Sequence, residues 1–252
     1  RRRIGGFSPL GRETAIDRVD WLDDGWPVLN RGAGPSDHAP ADVHSTRAFG
    51  FEEPELDLSW CFIRRPPADG ICLASRPGHL RLRGGASGLD SRTGVCAVLR
   101  REVSHRYEAT TRVEFSPRPG EEAGLVCYYD TDNHVQLALA EDCGTRLRLS
   151  KRARGEFSVV ADVPLNTQGP LWLRLEVNGL NRVFSFSHDG VSWHRVAALG
   201  DCGFMSDEGT SRWGFTGTMV GFYARRAPDQ LPLQADFAML LLSENPPGPK
   251  AS

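Results

Sequence analysis

The residues that could do chemistry begin with an alternating trio of carboxylates, Glu53, Glu55 and Asp57. If that stretch were extended, all three would share one face, the placement from which one carboxyl protonates a leaving oxygen while another attacks or activates water. Pro54 interrupts the would-be strand and no tryptophan or methionine frames the trio, so it reads as solvated loop charge. The seven histidines show no i, i+2 or i, i+4 pairing on a recognisable element, and neither GxSxG nor GxxxxGK[ST] occurs. Metal, triad, esterase and nucleotide chemistry therefore have no support. Asp236, a carboxylate in the otherwise apolar Gln-Ala-Asp-Phe before the last strand, can be read as a strand-entry aspartate. Alternatively, with Glu52 and Glu53 near the first strand, it offers hard oxygens to a structural calcium ion, although such a site needs about six of them. No cofactor is otherwise called for.

The most specific wording runs from 204 to 223. Its first half is a glycine-broken loop carrying Ser206, Asp207, Glu208, Thr210 and Ser211, yet Trp213 and Phe215 stand where a solvent-facing loop would carry polar groups. Two readings follow: a hairpin loop with its aromatics folded into the core, or a binding loop. From Thr216 onward the residues fit a strand weakened by two glycines, where another backbone or a ligand could approach.

The elements that must position these residues are strands. After an apolar pair of segments split by Asp23-Asp24-Gly25, a hairpin signal, residues 30–46 are rich in glycine, proline and serine and read as a linker. Short strand-like segments follow, at 59–64, 71–74, 79–83, 96–100, 107–115, 123–130, 134–140, 146–151, 157–163, 171–178, 182–187, 194–198, 218–224 and 235–242, and nowhere does a 3.6-residue period persist. Leu171, Leu173, Leu175 and Val177 alternate with Trp172, Arg174 and Glu176, so each sheet has a core face and an exposed face. Too many strands for one open sheet, short antiparallel turns and no internal repeat predict an all-β jelly-roll sandwich of two antiparallel sheets.

Composition narrows the partners. With 30 basic and 32 acidic residues in 252, a net charge of −2 gives no reason to expect a nucleic-acid or anionic-membrane partner. No apolar run approaches the roughly 20 residues that cross a bilayer. Arg1 to Arg3 lead into Ile-Gly-Gly-Phe rather than a signal-peptide core, and the six cysteines stand singly, without zinc spacing, as free thiols would. Together these favour a cytoplasmic location and leave a homo-oligomer open.

The wording LGRETA at 10–15, VDW at 19–21 and DDGWP at 23–27 resembles the end of the catalytic propeller in glycoside hydrolase family 43 β-xylosidases. The rest is similar to their C-terminal domain through LDLSWCFIRRPP (56–67), RPGHLRLR (76–83), ATTRVEF (109–115), EEAGLVCYY (121–129), Asn133-His134, SHDGVSW (187–193), Ser206 to Glu208, Phe215-Thr216-Gly217 and Ala235-Asp236-Phe237. The resemblance implies a five-bladed catalytic propeller that hydrolyses xylosides with inversion, followed by a concanavalin A-like sandwich. Residues 1–45 would be the terminal propeller segment plus linker, 46–247 the sandwich and 248–252 a tail.

Both catalytic carboxylates would lie in the propeller, outside this chain, which alone should hydrolyse nothing. Arg12 would face the bound sugar, where a guanidinium can donate paired hydrogen bonds; the plain alternative is a propeller-closing ion pair. Phe215, with Trp213 as neighbour or substitute, would form an aromatic wall over the propeller pocket and favour release of single terminal xyloses from xylo-oligosaccharides. Without the propeller that loop is expected to be mobile or held only by its own packing. Gly50-Phe51-Glu52 departs from the acidic pair that flanks phenylalanine in the family, which weakens the calcium reading. Arabinofuranosidases also belong to this family, so substrate is not fixed. The rival reading is an independent carbohydrate-binding module gripping xylan, for which only Trp172, Trp193 and Tyr223 offer exposed sheet aromatics.

Overall fold

The computed structural model describes residues 3–13, 17–34, 36, 44–64, 66, 70–166, 169–210, 214, 216–227 and 231–246. The strands are, in chain order, β1 (Val19–Trp21), β2 (Pro27–Leu29), β3 (Ser45–Phe49), β4 (Ile71–Cys72), β5 (Leu80–Leu82), β6 (Cys96–Arg101), β7 (Arg106–Glu114), β8 (Glu122–Asp130) and β9 (Asn133–Glu141). There follow β10 (Thr145–Ala153), β11 (Glu156–Pro164), β12 (Leu171–Asn178), β13 (Asn181–Ser187), β14 (His194–Leu199), β15 (Met219–Arg225), β16 (Ala235–Phe237) and β17 (Leu240–Glu244). Among the described residues the one helical turn is a 3-10 turn at Asn30–Gly32.

Alternation sorts these strands into two antiparallel sheets. One runs β11-β10-β9-β8-β15-β6; the other runs β14-β13-β12-β7-β16-β5-β4, with β17 joining β7 to β3. Leu171, Leu173, Leu175 and Val177 of β12 are all buried, as the period-2 pattern requires. They share one core with Leu125 and Cys127 of β8, Leu137 and Leu139 of β9 and Phe222 of β15. This is the predicted sandwich. All six cysteines are free thiols, three of them buried, and burial pushes Cys96 and Cys127 up to about 12.

Three sequence expectations change. Residues 59–64 contribute only a single bridge, Cys61 to Leu99, because Trp60 turns into the core against Phe51 and Phe222. The segment 235–242 is two strands: Ala238 donates its N–H to the Arg112 carbonyl and Thr111 Oγ1 donates to the Met239 carbonyl, so β16 and β17 occupy successive stretches of one edge of β7. The stretch read as linker ends in ordered β3, which pairs with β17, so the first and last strands of the sandwich are neighbours.

The Asp23-Asp24-Gly25 hairpin forms as expected, with Gly25 at φ 81° closing the turn. It is a two-stranded sheet of its own, and it is apolar outside: Trp21 is 72% exposed and Trp26 70%, with Val19, Leu22 and Leu29 exposed beside them.

Between the sheets lies an ion pair that water does not reach. The Arg182 guanidinium donates from Nη2 to both oxygens of Glu102 at 3.0 Å, and Tyr107 donates its hydroxyl to Glu102 Oε1 at 2.8 Å. Both charged side chains are completely buried.

Candidate functional site

The structure brings the Arg12 segment and the 204–218 loop together at one end of the sandwich. Ser8 binds Glu208 twice, donating its N–H to Oε2 at 2.7 Å and its hydroxyl to Oε1 at 2.9 Å. Thr218 donates its N–H to the Pro9 carbonyl at 2.7 Å, and Arg101 reaches the carbonyls of Leu10 and Arg12 at 3.1 and 3.0 Å. Leu10 is buried at the centre of this seam and Arg12, one step beyond Gly11, is exposed. Upstream, Gly5 and Gly6 at positive φ fold Ile4 back onto Phe7, and the Phe7 ring lies against Gly203.

The described residues of the loop, 204–210, 214 and 216–218, are held by side-chain bonds. Ser206 donates its hydroxyl to the Gly203 carbonyl and accepts from the Gly209 N–H, a turn in which the side chain replaces a backbone partner. Asp207 accepts from the Tyr129 hydroxyl, Thr210 donates to Asp130 Oδ2 at 3.0 Å, and Arg154 donates to the Gly209 carbonyl at 3.3 Å. Thr218 closes it from behind by donating its hydroxyl to the Met205 carbonyl at 2.7 Å. Ser206, Asp207, Glu208 and Thr210, polar residues that mark the loop in the sequence, are thus anchors, tying it to the end of β8, to the N-terminal segment and to its own backbone. Trp213 and Phe215 lie outside the described residues. Gly214, between them, packs on the Tyr129 ring, where a Cβ would come within 3.0 Å of Cζ.

The other candidates separate. Glu53, Glu55 and Asp57 are exposed, and Asp57 caps the Ser59 N–H at 2.7 Å with Arg100 at 3.5 Å. Asp236 is buried among cations. Arg81 binds it through Nε and Nη2 at 2.7 and 2.8 Å, and Arg76 joins it at 3.1 Å while also holding Glu114. Burial raises the Asp236 carboxyl, but the bonds and charges of Arg81 and Arg76 outweigh this and leave it below the usual range. Two guanidinium groups stand where a calcium ion would need further oxygens, Glu52 is exposed, and no cluster of three His, Cys, Asp or Glu side chains is placed for a metal among the described residues.

The model of the beta xylosidase C-terminal concanavalin A-like domain matches residues 49–241. The chain belongs to this family. A putative beta-xylosidase of Escherichia coli is 34% identical over 239 residues, covering 86% of this chain and 44% of that protein. A xylan 1,3-beta-xylosidase of a Vibrio species is 33% identical over 233 residues, covering 86% and 43%. Among solved structures, a glycoside hydrolase family 43 protein of Bacillus licheniformis superposes with a TM-score of 0.86 at 35% identity, covering 95% of this chain and 48% of that one. The chain thus spans about half the length of the curated relatives it matches. Arg12 precedes the stretch matched by the family model, whereas the 204–218 loop falls inside it.

The partners that fix the site were not singled out in the sequence. Ser8 and Tyr129 are ordinary residue types far from the loop in the chain, and only folding discloses that they hold it. Gly217 offered a signal, since a glycine between two threonines at a strand entry marks a close approach.

Proposed function

We propose that this chain is the accessory part of a glycoside hydrolase family 43 β-xylosidase and completes the sugar pocket of a catalytic propeller. The observation that carries the reading is the seam of Ser8, Pro9 and Leu10 with Glu208, Thr218 and Arg101, which fixes the segment bearing Arg12 against the loop bearing Phe215. Arg12 would donate paired hydrogen bonds to hydroxyls of a terminal xylose and Phe215 would stack on its face. The exposed Trp21 and Trp26 supply an apolar surface suited to the rest of a propeller. Inverting hydrolysis needs two carboxyls about 6.5–9.5 Å apart with a water between them. The propeller would provide that pair, and this chain would shape the pocket without being catalytic alone.

The test is Phe215→Ala in the enzyme that carries both parts. Loss of aromatic stacking should raise KM for xylobiose roughly fivefold with a smaller change in kcat. Unchanged kinetics would reduce the loop to packing, and xylosidase activity from the isolated chain would overturn the division of labour.

A further inference from the structure

The outer face of the six-stranded sheet carries a second feature. Register places Glu122 of β8, His134 and Gln136 of β9, Arg152 of β10 and Phe157 of β11 on that face, together with Tyr223 of β15. They line, with the Gly88–Asp90 loop that lies over the sheet, an open cavity of about 230 Å³. At about 30 Å³ per water this is space for roughly eight waters, the size of a single sugar ring. Gly124 and Ala138, paired between Tyr223 and Arg148 on the same face, carry no large side chain that could fill it.

The charges lining this cavity cancel. Arg152 pairs with Asp90 at 2.9 Å and Arg225 with Glu122 at 3.3 Å. Gln136 donates its amide to Glu122 Oε2 at 3.2 Å and Tyr223 its hydroxyl to Oε1 at 3.1 Å, which satisfies the carboxylate further. Each ionic side chain lining the cavity thus has a counterion among the described residues.

What is left is one buried Arg152 Nε without a partner among the described residues and neutral hydrogen-bonding capacity beside an aromatic. Gln136 is only 9% exposed, and its amide oxygen makes no hydrogen bond among the described residues. His134 is 6% exposed; its Nδ1 lies 3.2 Å from the Asp130 carbonyl, which can only accept, so Nδ1 carries the proton and Nε2 of the neutral ring is an acceptor. Phe157, by contrast, is 57% exposed on the same row as His134 and Arg152. Two nearly buried acceptors beside one unpartnered Arg152 N–H suit hydroxyls, which donate and accept, and an open aromatic face beside them suits the C–H face of a sugar.

We infer that this cavity is a saccharide subsite, separate from the Arg12 seam, which takes one ring of a neutral oligosaccharide between Phe157 and the Gln136–His134 pair. It shares no lining residue with the Arg12 seam, so either can fail alone.

Titration of the full 252-residue chain with xylotetraose, followed by the amide and imidazole NMR signals, tests it. Saturable shifts centred on His134, Gln136 and Phe157 are expected. Phe157→Ala, on the edge strand, should weaken binding roughly fivefold and Gln136→Leu by a similar factor, while Val191→Ser, on the β13–β14 turn of the other sheet, should leave it unchanged. No saturable binding, binding that survives both variants, or tighter binding of glucuronate or phosphate than of xylotetraose would each overturn the assignment.

Discussion

Gly11 and Gly217 lie back to back. A Cβ built on Gly11 would sit 2.7 Å from the Gly217 Cα, and one built on Gly217 would sit 2.8 Å from the Gly11 nitrogen. Both residues are also at positive φ, 70° and 77°, where a side chain is strained whatever the space. The neighbours in conflict are backbone, which cannot rotate away. Gly11→Ala or Gly217→Ala should therefore cost about 2 kcal/mol and loosen the seam. Hydrogen exchange at the Thr218 amide, which donates to Pro9, reads the seam directly; protection equal to the unchanged protein would refute the close approach.

The Arg182–Glu102 pair has a different energetic character. Removing one partner leaves a charge buried without compensation, so Arg182→Met should lower stability by about 3–5 kcal/mol, measured as a shift in the urea midpoint. Replacing both, with Arg182→Met and Glu102→Leu together, should recover much of the loss, because the desolvation of both ions is then avoided. A double variant no better than the single one would mean that the pair contributes more than it costs.

Acid should weaken the β5–β16–β7 corner. Hydrogen bonds from Arg76 chiefly hold the Glu114 carboxyl below its usual range, and Asp236 is low because Arg81 and Arg76 outweigh its burial. A carboxyl depressed in the folded state stabilises fully above its unfolded pKa, about 3.9 for Asp and 4.3 for Glu, and loses that contribution as pH falls through the folded value. The melting temperature should accordingly hold from pH 7 to about pH 5 and drop below it, and Arg76→Gln should flatten that drop. Because the arginines already neutralise Asp236, a calcium chelator at pH 7 should leave the melting temperature where it was; a fall would mean that a cation shares the site.

Trp21 and Trp26 report on the proposed partner. In this chain both should be strongly quenched by acrylamide and emit to the red. In an enzyme that includes the propeller their emission should shift to the blue and the quenching should fall several-fold. Equal quenching in the two proteins would show that the hairpin has no apolar cover.

The sandwich was legible because its strands obey one rule: apolar residues at every second position, bounded by glycine, proline or Asx. Leu171 to Val177 states that rule most plainly, and all four of its apolar residues are buried. Two strands were misread where the local pattern hides a tertiary decision. Trp60 leaves the sheet to stack with Phe222, and the ladder steps between Phe237 and Leu240 without any glycine or proline to announce it. The outer face of β9 shows the same limit. In NHVQLALA the apolar residues face the core, but His134, Gln136, Ala138 and Ala140 on the other side are buried as well, and nothing local says that the distant 88–90 loop lies over this face. The Arg12 seam depends on partners some 200 residues apart, beyond any periodicity. Its glycines were visible, and their opposition to each other was not.

That separation also sets an order of events. Ser8 leaves the ribosome 200 residues ahead of Glu208, an interval of roughly 10–40 s at about 5–20 residues per second. Until it closes, the segment that carries Arg12 can have the Arg101 guanidinium but neither Glu208 nor Thr218 to lie on. Its final conformation is among the last things the chain acquires, and the maturation of any pocket that uses Arg12 is timed by the completion of the sandwich.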